Sequence, residues 1–159
     1  MTPELLVFAD DGTIPNNPRL PALLFRAALP PGDPAAAEAL FACHGWPPAW
    51  RNGIYRYHHY HPDAHEALAI ACGRVSVLLG GEWGQVLDLE AGDVVVLPAG
   101  TGHRNLGASA DLLVVGAYPT GQSPTEHRGR PGEHARAIAA IPAVPDPPAE
   151  PVTGAPWPL

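Results

Sequence analysis

Residues 59–73 read His-Tyr-His-Pro-Asp-Ala-His-Glu-Ala-Leu-Ala-Ile-Ala-Cys-Gly, and residues 92–103 read Gly-Asp-Val-Val-Val-Leu-Pro-Ala-Gly-Thr-Gly-His. In the first stretch, Glu66, Leu68 and Ile70 alternate with His65, Ala67, Ala69 and Ala71, the two-residue period of a strand. The large apolar members mark the interior, so Glu66 points inward and His65 outward. A one-residue slip at the Pro62 turn would exchange the two. The second stretch reads as a tight turn, a buried strand, a Pro-Ala-Gly turn and a histidine where the chain re-enters the core.

Around these stretches, short strands separated by Gly or Pro are predicted at 52–60, 66–71, 74–79, 85–89, 94–97 and 112–118. That rhythm points to an all-β sandwich or barrel rather than βαβ units. On a strand over 52–60, Tyr55, Tyr57, His59 and His61 share the inner face, while Arg56, His58 and Tyr60 share the outer one. Two residues of strand rise separate His59 and His61 by about 7 Å at Cα, a span that two imidazoles close onto one ion. His103 is then able to supply a third imidazole.

Upstream, 4–8 and 20–28 read as short strands or arms. Asp33 as N-cap and Pro34 at the first helical position open a helix running to about Cys43, with Leu40, Phe41 and Cys43 as its buried side. Downstream of Gly121 the chain is rich in Pro, Gly and Ala. It carries one weak helical segment at 132–140 and a proline-studded end expected to run as an extended strap or to be partly disordered.

The spacing Gly53…His59-x-His61…Glu66…Gly73 followed by Gly92…Pro98-x-Gly100-x-x-His103 resembles the two motifs of the cupin superfamily. Gly116-Ala117-Tyr118-Pro119 and Gly121-Gln122 also look like a group of small single-domain bacterial cupins that brings no assigned activity. The resemblance implies a double-stranded β-helix, a jelly-roll barrel with one short N-terminal helix and extended N- and C-terminal arms. It implies His59, His61, Glu66 and His103 as the ligands of a divalent transition metal: Fe, Mn, Ni, Zn or Cu. Its second motif usually ends in an asparagine four residues after the histidine; here Gly107 holds that position and Asn105 stands two residues earlier. One domain over 1–159 is expected, with arms and helix at 1–50, barrel core at 51–120 and tail at 121–159.

The function that follows is a metal-dependent small-molecule enzyme of dioxygenase or isomerase type, with Glu66 and Tyr57 as catalytic candidates. The alternative is a non-catalytic sensor or structural-metal module. Tyr55 is a further pocket candidate, and Arg51 a contact for an anionic substrate. His58 and His65 are expected on the exterior, and His44, His127 and His134 in solvent. Trp46, Trp50 and Trp83 are expected to pack at strand ends, and Cys72 to be an inert small hydrophobe. A net charge of −7 with no basic cluster argues against nucleic acid. All nine basic residues are arginines, which excludes a lysine Schiff base. No export signal or spanning segment is read, and two cysteines suit a reducing cytoplasm. The arms and a flat face of Ala67, Ala69 and Ala71 suggest a homodimer.

Overall fold

The computed structural model describes residues 1–159. Its strands are β1 (Glu4–Leu6), β2 (Ala22–Phe25), β3 (Pro48–Asn52), β4 (Glu66–Cys72), β5 (Arg74–Leu79), β6 (Gln85–Glu90), β7 (Val94–Leu97), β8 (His103–Ala108) and β9 (Leu113–Ala117). Helix α1 (Pro34–Cys43) precedes β3, and α2 (Glu133–Ala140) follows β9. All strand pairs are antiparallel. They form a six-stranded sheet in the order β1-β2-β7-β4-β9-β3 and a three-stranded sheet in the order β6-β5-β8, the expected jelly roll. No helix is long and apolar enough to cross a membrane.

The central strands β2, β7, β4 and β9 of the six-stranded sheet are buried on both faces, whereas the edge strands β1 and β3 are largely exposed. Leu68 and Ile70 of β4, Val95 and Leu97 of β7 and Val114 of β9 meet Val77 and Leu89 of the smaller sheet in the inner core. The alternate residues Ala67, Ala69, Val94, Val96 and Val115 form an outer core with Phe41, Trp46 and Trp157. Two-sided burial explains why β7 is continuously apolar, since neither of its faces meets water.

Three features differ from the sequence expectation. First, 52–60 is not a strand. The pairing partner β9 is matched by β3 from Pro48 to Asn52, and beyond Asn52 only isolated bridges from His59 to His103 and from Tyr60 to His127 remain. Second, β8 was not anticipated, because Arg104, Asn105 and Gly107 dilute its apolar alternation. Third, Ala67, Ala69 and Ala71 are buried rather than presented to a partner copy. Helix α1 and the C-terminal strap cover them.

Helix α1 starts as expected. The Asp33 side chain accepts from Ala36 N at 3.0 Å and Pro34 sits in the first turn. Its buried residues are Ala37 and Phe41, however, and Cys43 is exposed. Phe41 and Ala37 lie four apart on the face toward the sheet, whereas Cys43 is turned away from it. The strap lies against the sheet. Trp46 Nε1 donates to Ala149 O at 3.0 Å, and Trp157 Nε1 donates to Pro21 O at 2.9 Å.

His65 ties the strap to the sheet. Ala99 N donates to its Nδ1 at 2.9 Å, so the ring proton sits on Nε2 and is given to Pro145 O at 3.2 Å. It is therefore buried, not exterior, because the strap covers the outer face on which it stands. Trp83 is 80% exposed at the β5–β6 turn rather than packed at a strand end.

Trp157 is 8% exposed, and Trp157→Ala is expected to lower unfolding free energy by about 3 kcal/mol. Trp83→Ala is expected to stay within about 0.5 kcal/mol of the parent. Urea denaturation of both variants checks the contrast.

Candidate metal centre

The site lies where β4 and β8 begin. Glu66 is the first residue of β4 and follows the inward parity of Leu68 and Ile70. His103 opens β8. The segment carrying His59 and His61 is docked onto it by paired backbone bonds, His59 N to His103 O at 3.1 Å and His103 N to His59 O at 2.9 Å. Gly100 N donating to His61 O at 2.8 Å fixes the other end of that segment.

One ring nitrogen each of His59, His61 and His103 lies within 4.8 Å of the others. These three rings would hold a single ion, since a transition metal takes imidazole nitrogens at about 2.0–2.1 Å. In every ring Nδ1 faces a backbone carbonyl: Tyr57 O at 3.1 Å for His59, Thr125 O at 2.8 Å for His61 and Thr101 O at 3.1 Å for His103. A carbonyl only accepts, so each Nδ1 carries the proton and each neutral ring keeps the lone pair on Nε2. Glu66 completes the group, with Oε2 at 3.4 Å from His61 Nε2 and Oε1 at 3.1 Å from His103 Nε2. Glu66 is 3% exposed, and its Oε1 has no hydrogen-bond partner. Lone pairs so arranged repel one another unless a cation stands among them, and a proton or a divalent metal satisfies that demand.

The electrostatics follow from this crowding. Burial, reinforced by the charge of His103, pushes His59 down to about 3. Burial also disfavours charge on His61, yet the neighbouring Glu66 carboxylate and the Thr125 carbonyl lift it to about 9. Burial alone would raise Glu66, but His61 and His103 hold it well below the usual carboxylate range.

The group opens onto a cavity of about 350 Å³ whose further walls include Trp50, Ile54, Tyr55, Tyr118 and Glu126. Trp50 Nε1 donates to the Tyr118 hydroxyl at 2.9 Å. Burial and the charge of Glu66 raise the Tyr118 pKa and keep it protonated. Gly116 makes room here, because a Cβ at that position would run into the Trp50 ring.

The structure brings together His59, His61, Glu66 and His103, the four residues drawn from the sequence. Tyr57 stands outside the cavity lining. It stacks on Tyr55 with ring centroids 4.8 Å apart, and its hydroxyl is engaged by Arg128 and Glu126. Without a regular strand at 52–60, Tyr55 reaches the cavity and Tyr57 does not. Arg51 is turned outward and paired with Glu38 on α1, so it is not available to an anionic substrate. His58 is half-buried, its Nε2 accepting from Gly81 N at 3.1 Å, and burial pushes it down to about 4. His44, His127 and His134 are half-buried and bonded to Pro151 O, the Tyr60 backbone and Asp10 rather than solvated.

At the departure from the motif, Asn105 donates to Ile54 O at 3.3 Å and accepts from Gly107 N at 2.8 Å, beside a register shift between β5 and β8. The asparagine side chain thus organises this turn from two residues earlier. Trp50, Tyr118 and Glu126 were not singled out as cavity residues. Tyr118 extends the inward parity of Val114 and Gly116 and was readable in principle. Glu126 has no local signal, because its position depends on a segment beyond the last strand.

The Cupin domain family model matches residues 51–116. A curated relative, "Uncharacterized protein YjlB" of Bacillus subtilis (strain 168), is 41% identical over 153 residues, covering 96% of this chain and 91% of the relative. Among solved structures, DMSP lyase DddQ from Ruegeria pomeroyi DSS-3 aligns with a TM-score of 0.41 at 20% identity, over 71% of this chain and 44% of that one. The Lactobacillus farciminis oxalate decarboxylase formate complex aligns with a TM-score of 0.39 at 14% identity, over 79% of this chain and 30% of that one. The chain therefore spans less than half the length of either solved chain.

The histidine environments set a pH dependence for the metal-free protein. His58 and His65 at about 4 and His59 at about 3 bind fewer protons folded than unfolded, so their contribution is lost as pH falls below 6.5. His61 at about 9 has the opposite sign: its contribution is present below 6.5 and lost as pH rises toward 9. Thermal unfolding of chelator-treated protein is expected to show maximal stability near pH 6.5 on these grounds. His61→Gln is expected to flatten the alkaline limb.

Proposed function

The chain belongs to the cupin family, and on that footing we propose that it is a metal-dependent small-molecule enzyme of dioxygenase or isomerase type. In this reading His59, His61, Glu66 and His103 hold the metal. The observation that carries it is the buried Glu66 Oε1, which lacks a hydrogen-bond partner and stands beside imidazole nitrogens whose other ring positions are already committed to carbonyls. Four such donors suit Fe(II), Mn(II), Ni(II), Zn(II) or Cu(II). A bound ion would act as Lewis acid and template for a ligand in the cavity.

The chain's own groups supply the rest. The carbonyls of Tyr57, Thr125 and Thr101 fix the orientation of the three rings. Tyr118 accepts from Trp50, and its own O–H points into the Glu66 end of the cavity, where it can donate to that carboxylate or to a ligand oxygen beside it. Trp50 and Ile54 supply apolar wall that limits water around the reacting groups. Glu66, wedged between two imidazoles, serves as a ligand and not as a mobile base.

Elemental analysis of untagged protein is expected to find one transition metal per chain. His59→Ala combined with His103→Ala should abolish uptake, and Glu66→Gln should weaken it by about 100-fold. Oxygen consumption by the Fe(II)-loaded protein with a panel of enediols assigns the dioxygenase branch, and interconversion without oxygen uptake assigns the isomerase branch. Retention of stoichiometric metal in the double variant overturns the ligand assignment. Metal binding with no turnover moves the protein to the binding-module class.

A further inference from the structure

The cavity contains a second carboxylate that the proposed metal set leaves unused. Glu126 lines it together with Tyr118, Tyr55 and Trp50, and its neighbours on both sides are anchored to the barrel. Thr125 N and Oγ1 donate to Asp63 at 2.8 and 2.7 Å. Residue 127 exchanges two backbone bonds with Tyr60, each 2.9 Å. The Thr125 carbonyl also orients His61, so the segment that delivers Glu126 is part of the frame of the metal centre.

Behind Glu126, Arg128 Nε donates to Oε2 at 3.0 Å, and the Tyr57 hydroxyl stands 3.3 Å from Oε2 and 3.4 Å from Oε1. Oε1 thus has only one long contact and retains acceptor capacity. The Arg128 guanidinium is stacked 3.7 Å from the Tyr57 ring centroid and donates to its hydroxyl at 2.8 Å. No arginine lines the cavity, and the chain has no lysine. The walls therefore offer a carboxylate, Glu126, whose Oε1 keeps acceptor capacity, the Tyr118 hydroxyl beside Glu66, and no positive side chain other than His61, which is paired with Glu66.

We propose that Glu126 is the specificity-determining residue, and that the cavity takes a neutral ligand carrying a hydroxyl beside a carbonyl. The hydroxyl donates to Glu126 and the carbonyl accepts from Tyr118. A dicarboxylate is disfavoured at the Glu126 end of the cavity, because it brings a second negative charge against that carboxylate and leaves its acceptor unpaired. This inference rests on the cavity being the ligand side of the metal centre.

Calorimetric titration with dihydroxyacetone and with malonate, on the parent protein and on Glu126→Gln, tests it with and without added Mn(II). Metal content is measured on the same samples. Dihydroxyacetone is expected to bind the parent at least about tenfold more tightly than malonate, and Glu126→Gln to erase that preference while leaving metal content unchanged. Tighter malonate binding by the parent, or a ratio unaffected by Glu126→Gln, overturns the selectivity. Failure of the parent to take up Mn(II), with a ratio that still responds to Glu126→Gln, overturns the metal-enzyme reading and leaves the selectivity standing.

Discussion

The register of β4 is the constraint on which the remaining structure depends. Its alternation sets Glu66, Leu68 and Ile70 on one face and Ala67, Ala69 and Ala71 on the other. Pairing with β7 on one side and β9 on the other fixes it. A slip of one residue would turn the alanines into the inner core, leaving it underfilled, and would drive leucine and isoleucine against α1 and the strap. The same slip would remove the carboxylate from between His61 and His103. Core packing and site assembly are thus decided by a single choice of parity, and the volume difference between alanine and leucine enforces it.

The geometry of the candidate metal site extends that logic to polar atoms. Three imidazoles of one tautomer, each locked by a carbonyl, and one carboxylate oxygen without a hydrogen bond form a cage of acceptors. Nothing else in the fold requires such an arrangement. The carbonyls come from the 52–61 segment, from the Thr101 turn and from Thr125, three stretches widely separated in sequence. A tightly packed, two-sided sheet holds them to a common frame, because its strands have little freedom to shift.

How much of this was legible in the sequence follows from where the information lies. Strands β4, β5, β6 and β7 and the cap of α1 are written in local alternation and capping chemistry, and they stand where the sequence places them. The four clustered residues were legible because Glu66 shares strand parity with its apolar neighbours and the histidines recur at motif spacing. The segment 52–60 misled because its alternating aromatics imitate a strand, although β9 has no residues left to pair with it. The alanine face was misjudged for the complementary reason. Its cover comes from Trp157 and the strap, a proline-rich stretch with no periodicity to announce a docking face. Tyr57 and Glu126 exchanged importance because the segment carrying Glu126 is placed by Asp63 and Tyr60, and no local pattern encodes a contact of that range.

The strap also bears on the entropy of folding. Pro145, Pro147, Pro148, Pro151, Pro156 and Pro158 restrict the backbone of the unfolded chain, so less conformational freedom is lost when this segment settles on the sheet. The contacts that hold it are two indole N–H groups, the rings of His44 and His65, the Gln122 amide, the Arg19–Asp146 pair and a buried glutamate that caps its own turn at Val152 and Thr153. Small side chains on the sheet are the counterpart of that restriction, since a flat alanine surface accepts a stiff, irregular ribbon without needing to interlock with it. Stiffness in the ribbon and flatness beneath it are two halves of one solution to sealing a sheet without building another helix.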